Sequence, residues 1–243
     1  MPKAQSPFVV LIHGAFHGAW CWAALQADLD RRSIASLAPD LPGHGASLEP
    51  LGDLHGDARS VRALLDRLGV PVVLVTHSYG GAVATEAAAG HPDVSHIVYV
   101  SAFVPDQGEA VLGLAQTLPT AEYALPAAMV MGETSCTIDP SRARAVFYGE
   151  CTQQVASAAA ARLDAQSLAT FSQPANVAAW RSIPSTYVRC LRDQAIPLAH
   201  QDVMSNRCKE IITIDTDHSP FISRTGELAD IVERIVLGSW PTP

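Results

Sequence analysis

The sequence predicts an α/β fold: a mostly parallel sheet with helices on both faces and a helical cap inserted into it. Three observations carry that expectation. Short β-rich apolar runs alternate with helical stretches along most of the chain, the pattern of strand–helix–strand units. Hydrophobic residues make up 48% of the 243 positions and charged residues 16%, so a chain of this length can bury a full core. The alternation then breaks down over residues 104–184, an Ala-rich interval too long to be a plain loop in a compact domain.

Strands are expected over 8–13, 34–38, 72–77, 96–102, 185–191 and 210–214. Helices are expected over 20–31, 54–68, 80–90, 197–206 and 226–237. Gly69 followed by Pro71 stops one helix and leads into the apolar run Pro71-Val72-Val73-Leu74-Val75. Residues 1–103 and 185–243 thus form the core, and 104–184 the cap, with helical stretches over 141–148 and 154–163. Its aromatics Tyr123, Phe147, Tyr148, Phe171 and Trp180 either line a pocket or pack the cap onto the core.

Composition excludes several function classes. The net charge is −8 and Lys and Arg do not cluster, which argues against a nucleic acid or an anionic membrane as partner. No apolar run approaches the roughly 20 residues needed to cross a bilayer. The five cysteines are scattered without a CxxC pair, so reduced thiols, no metal and no cofactor are expected. With no signal pattern before Phe8, a cytoplasmic location is the expectation. Oligomeric state is not legible.

The segment Thr76-His77-Ser78-Tyr79-Gly80-Gly81 closes the apolar strand and opens the small-residue helix beginning Gly81-Ala82-Val83-Ala84. A serine pinned between a buried strand and a helix, with glycines just after it, reads as a nucleophile elbow. The alternative, a serine serving only as a helix N-cap, does not explain the flanking glycines. A serine hydroxyl needs a base within hydrogen-bond reach, itself oriented by a carboxylate. Asp193 follows the strand at 185–191, and His218 lies between the last strand and the last helix, giving the chain order Ser, Asp, His. Asp106, after the strand ending at Phe103, is the alternative acid; Asp217, adjacent to His218, is a poor one because neighbouring side chains diverge. An oxyanion hole is also required, each donor contributing about 3 kcal/mol. The expected donors are the N–H of Tyr79 and that of Ala15, with Gly14 permitting the turn. Phe16, Tyr79 and Phe221 are the expected pocket walls.

These residues resemble the α/β-hydrolase superfamily, and more narrowly its branch of plant methylesterases, hydroxynitrile lyases and their bacterial relatives. The resemblance rests on the block from Leu11-Ile12-His13-Gly14-Ala15-Phe16-His17-Gly18-Ala19-Trp20 and on Asp40-Leu41-Pro42-Gly43-His44-Gly45. It continues through His77-Ser78-Tyr79-Gly80-Gly81, Ser101-Ala102-Phe103-Val104-Pro105-Asp106 and Asp217-His218-Ser219-Pro220. It implies Ser78, Asp193 and His218 as the triad, Ala15 and Tyr79 as oxyanion donors, and a small-molecule ester as substrate. One departure is Thr76, where the superfamily places glycine; a β-branched residue there is expected to crowd the elbow. The lyases of the branch carry threonine and lysine where this chain has Gly14 and Ser219, so ester hydrolysis is implied over cyanohydrin cleavage. A slow-hydrolysing ligand receptor is the reading from another class.

Overall fold

The structure is a computed structural model and describes residues 7–118 and 121–238. The first half of the core runs β1 (Phe8–Ile12), α1 (Ala23–Arg31), β2 (Ser36–Leu37), α2 (Leu54–Leu68), β3 (Val72–Ser78), α3 (Gly80–Ala87) and β4 (Val94–Ala102). The inserted interval holds α4 (Val111–Thr117), α5 (Leu125–Ala128), β5 (Met129–Met131), β6 (Ser135–Ile138), α6 (Ala143–Phe147), α7 (Gln153–Ala160), β7 (Gln166–Ser167) and α8 (Ala169–Ser172). The core resumes with β8 (Ser185–Cys190), α9 (Leu198–Ser205), β9 (Glu210–Ile214), α10 (Pro220–Ser223) and α11 (Thr225–Val236).

Six strands form one sheet in the order β2-β1-β3-β4-β8-β9, every pair parallel. The period-2 alternation of a strand divides its side chains between two cores. Val10, Ile12, Val72 and Leu74 face one side, packed with Val61 and Leu65 of α2 and Ala82 and Val83 of α3. Val9, Leu11, Val73 and Val75 face the other, against Leu25 and Leu29 of α1 and Leu228 and Val232 of α11. A sheet apolar on both faces needs this double cover, which is why its strands read as continuous hydrophobic runs.

Local signals set the element ends. Asp53 caps α2 by accepting the Gly56 N–H at 2.7 Å, and Gly69 ends it at φ 56°, a left-handed conformation that glycine takes without a Cβ penalty. β2 is shorter than the 34–38 expected; at the sheet edge only Ser36 and Leu37 pair, with Val9 and Val10.

The inserted interval is not purely helical. β5, β6 and β7 make a separate three-stranded sheet whose pairings are antiparallel, with Met129 opposite Ile138 and Cys136 opposite Gln166. The turn between β5 and β6 closes through Gly132 N–H donating to Ser135 C=O at 2.8 Å. Strands this short carry too little alternation to stand out from the Ala-rich surroundings. Among the described residues, no helix is long and apolar enough to cross a membrane.

Candidate active site

The sheet order reverses at β1 and β3, and the crevice beyond their C-terminal ends is where open parallel sheets bind ligands. Ser78 sits there, at the last position of β3, with φ 51°. A non-glycine residue in that region costs about 1–3 kcal/mol and needs surroundings that enforce it. The surroundings are tight. A Cβ on Gly14 would lie 2.8 Å from the Ser78 Cβ, and one on Gly80 would lie 2.7 Å from the Ile12 carbonyl oxygen. A Cβ on Gly81 would strike the Phe103 carbonyl oxygen. Thr76 does not crowd this turn as expected: it stays within the strand, buried, with its hydroxyl donating to the Val98 carbonyl at 3.2 Å.

His218 follows β9 and is buried. Its Nδ1 meets Asp193 Oδ2 at 2.7 Å. Asp193 is held in turn by donors from three elements. Its Oδ1 accepts the N–H groups of Ala195 and Ile196 at 2.7 and 2.8 Å, and its Oδ2 accepts the Ser101 hydroxyl. Gln201 Nε2 lies 3.4 Å from the same Oδ2. Of the carboxylates weighed from sequence, then, Asp193 reaches the imidazole. Asp106 instead pairs with the Arg181 guanidinium, whose Nε donates to its Oδ1 at 2.9 Å. Asp217 turns away from the ring and accepts the N–H groups of Glu150 and Ser219 at 2.8 and 3.0 Å.

His77 ties His218 to the elbow. Its Nε2–H donates to the His218 carbonyl at 2.9 Å, and the two ring centroids are 4.3 Å apart.

Two buried histidines shape the loop after β1. His13 Nε2 accepts the Leu41 N–H at 3.0 Å, so its proton is on Nδ1, which donates to the Gly14 carbonyl at 2.8 Å. Burial holds His13 neutral, with its pKa lowered to about 4. A trans peptide sets its N–H opposite its C=O, so fixing the Gly14 carbonyl aims the Ala15 N–H the other way. His17 likewise donates from Nδ1 to the Ala15 carbonyl at 2.8 Å and meets the Tyr148 hydroxyl through Nε2 at 2.8 Å. Its pKa is lowered to about 3, again by burial.

An apolar cavity of about 240 Å³ opens over the elbow, lined by Ala15, Ser78 and Tyr79 from the core. Phe16 contributes to its wall, as do Phe147, Phe171 and Tyr123 of the inserted interval. Tyr148 and Trp180 do not reach it: Tyr148 serves His17, and Trp180 Nε1–H donates to the Pro105 carbonyl at 2.9 Å. Phe221, expected as a pocket wall, is a correction. It is fully buried beneath the site, 4.7 Å by ring centroid from both Trp22 and His77, because α10 turns it into the core shared by α1 and α11.

Sequence reasoning missed Ser101, Gln201, Asp57 and Gln166. Asp57 of α2 accepts the Tyr79 phenol at 2.6 Å and is pushed up to about 7, chiefly by burial. Asp57, Gln166 and Gln201 carry no local pattern that marks them, and Ser101 stood only in a stretch matched by resemblance, with no role given to it.

A model of the alpha/beta hydrolase family matches residues 9–231. An alpha/beta hydrolase of Aspergillus novofumigatus is 29% identical over 245 residues, 95% of each chain. Methylesterase 7 of Arabidopsis thaliana is 29% identical over 257 residues, covering 97% of this chain and 98% of its own. Among solved structures, a pyrethroid hydrolase from Sphingobium faniae superposes with a TM-score of 0.84 at 25% identity, over 97% of this chain and 100% of that one.

Proposed function

The chain belongs to the alpha/beta hydrolase family, and from that premise we propose that it is a serine carboxylesterase acting on small-to-medium apolar or aromatic esters. The observations that carry the reading are the Asp193–His218 pair, linked through His77 to the elbow, and an apolar cavity lined by Ser78. The esterase and hydrolase names of its relatives support the same reaction class.

In this mechanism Ser78 Oγ attacks the ester carbonyl carbon while His218 Nε2 takes its proton. Asp193, bonded to Nδ1, keeps the ring oriented and stabilises the imidazolium. The carbonyl oxygen becomes an oxyanion, which the N–H groups of Ala15 and Tyr79 receive. The tetrahedral intermediate collapses as His218 protonates the leaving alcohol, giving an acyl-Ser78 ester. Water, deprotonated by the same imidazole, then attacks that ester and releases the acid. Among the described residues, no Asp, Glu, Lys or Arg lines the cavity, so a neutral ester fits it and a substrate carrying a charge beside the scissile bond does not.

The test is product analysis with a panel of p-nitrophenyl and aryl-alkyl esters, combined with mass spectrometry of the trapped enzyme. The expected result is equimolar acid and alcohol, with an acyl adduct on the peptide containing Ser78. Release of aldehyde and cyanide from an aromatic cyanohydrin, with esters left intact, would assign the lyase reaction instead. Tight binding with negligible turnover would assign a receptor.

A further inference from the structure

Gln166 lies at the start of β7, in the inserted interval, and is completely buried. A buried carboxamide this far from the sheet needs a reason, and its contacts supply one. Its Oε1 accepts the Phe16 N–H at 3.2 Å and meets His44 Nε2 at 3.0 Å. A backbone N–H can only donate, so the atom facing Phe16 must be the oxygen, and the amide orientation is fixed. Its Nε2 then donates to Thr170 Oγ1 at 3.0 Å. The Thr170 hydroxyl accepts this bond and donates in turn to the Ser167 carbonyl at 2.6 Å.

One side chain therefore grips the loop that presents the Ala15 donor. Phe16 follows the Ala15 donor and sits at φ 66°, a conformation that persists only where its neighbours over-determine it. The inserted interval does this from both sides of the residue. Gln166 takes the Phe16 N–H, and the Asp164 N–H donates to the Phe16 carbonyl at 2.8 Å. With its N–H engaged by Gln166, Phe16 does not compete for the oxyanion, and Ala15 alone of the loop is presented.

We propose that Gln166 is a positioning residue of the oxyanion site, fixing the Ala15 donor from the inserted interval. The proposal rests on the serine-esterase reading above. It makes the insertion part of the catalytic geometry as well as a cover for the substrate.

The experiment compares wild type, Gln166→Leu and Thr170→Val. It measures kcat and KM for p-nitrophenyl butyrate, affinity for an aryl trifluoromethyl ketone, and the melting temperature. The ketone is the probe because addition of Ser78 Oγ to it creates the same oxyanion. Displacement of a reacting group by about 1 Å costs on the order of 10²-fold, so Gln166→Leu is expected to lower kcat about 10- to 100-fold with KM nearly unchanged. Ketone affinity should fall by the same factor as kcat/KM, and Thr170→Val should show a smaller loss in the same direction. An unchanged kcat in Gln166→Leu, or a loss of kcat that ketone affinity does not follow, overturns the proposal. Should Gln166→Leu fail to fold, Gln166→Glu keeps the acceptor and loses the donor to Thr170, and is judged by the same parallel. Ser78→Ala separates the two levels: if it retains turnover the esterase reading fails, whereas an inert Ser78→Ala beside a normal Gln166→Leu overturns only the role of Gln166.

Discussion

The strand ends of the core and the inserted interval build this site by opposite means. In the core, each candidate catalytic group stands at or just past the C-terminal end of a sheet strand, and the sheet fixes its position: Ser78 on β3, Asp193 just past β8, His218 past β9. In the interval, short helices and a small antiparallel sheet supply the cavity's aromatic wall and buried polar contacts to the loop after β1. Sheet ladders hold a reacting group rigidly, while a surface insertion can change shape without disturbing the core. The difference teaches that the sheet carries the candidate reacting groups, while the interval shapes the cavity and, through Gln166, steadies the loop after β1.

Substitutions can break or sharpen that division. The largest effect is expected at Ser78→Ala, with kcat for aryl esters falling about 10⁶-fold and the melting curve retained. Activity that survives would move the nucleophile elsewhere. Asp193→Asn should cost about 10⁴-fold in kcat, because the amide would hold the wrong imidazole tautomer. Asp106→Asn, which removes only the partner of Arg181, should leave kcat at the wild-type level in the same assay.

Changes in the wall should act on selectivity instead. Phe171 faces both Phe16 and Tyr79, with ring centroids 6.3 and 6.1 Å away. Phe171→Ala should shift the kcat/KM ratio between bulky and short acyl esters by about 10- to 200-fold in favour of the bulky ones. An equal loss on all esters would show that the residue acts on the chemistry, and the division would fail.

The smallest effect is on stability. His13 and His17 titrate near 4 and 3 in the folded protein against 6.5 when unfolded, so the unfolded chain binds protons that the native state refuses. Stability that is present above pH 6.5 is therefore lost as pH falls toward 4, by up to about 1.4 kcal/mol per pH unit for each histidine. Asp57 acts with the opposite sign. Its carboxyl is raised from 3.8 to about 7, so its contribution is present below pH 4 and lost as pH rises toward 7. Urea unfolding from pH 4.5 to 7.5 should accordingly show stability rising more steeply with pH in Asp57→Asn than in wild type. Parallel curves would mean that Asp57 is already ionised below this window.

How far the chain could be read follows from the range of each interaction. The long helix Leu54–Leu68 was legible because its helical stretch runs straight into a Gly69 stop followed by Pro71. The elbow was legible because strand, serine and glycines are contiguous. The strands Met129–Met131 and Gln166–Ser167 were not, being too short to show a period. Phe221 misled because its neighbourhood in sequence, beside His218, differs from its neighbourhood in space, against Trp22.

By itself, the sequence determined the parallel α/β core, the serine turn and the chain order of Ser78, Asp193 and His218 at successive strand ends, since these are written in local period, turn chemistry and residue type. Tertiary structure decided which carboxylate meets His218, which aromatics reach the cavity, and that Gln166 grips a peptide 150 positions away. Those outcomes depend on pairings between distant segments. A hydrogen bond of that span leaves no periodic trace in either segment, so only the folded chain reveals it.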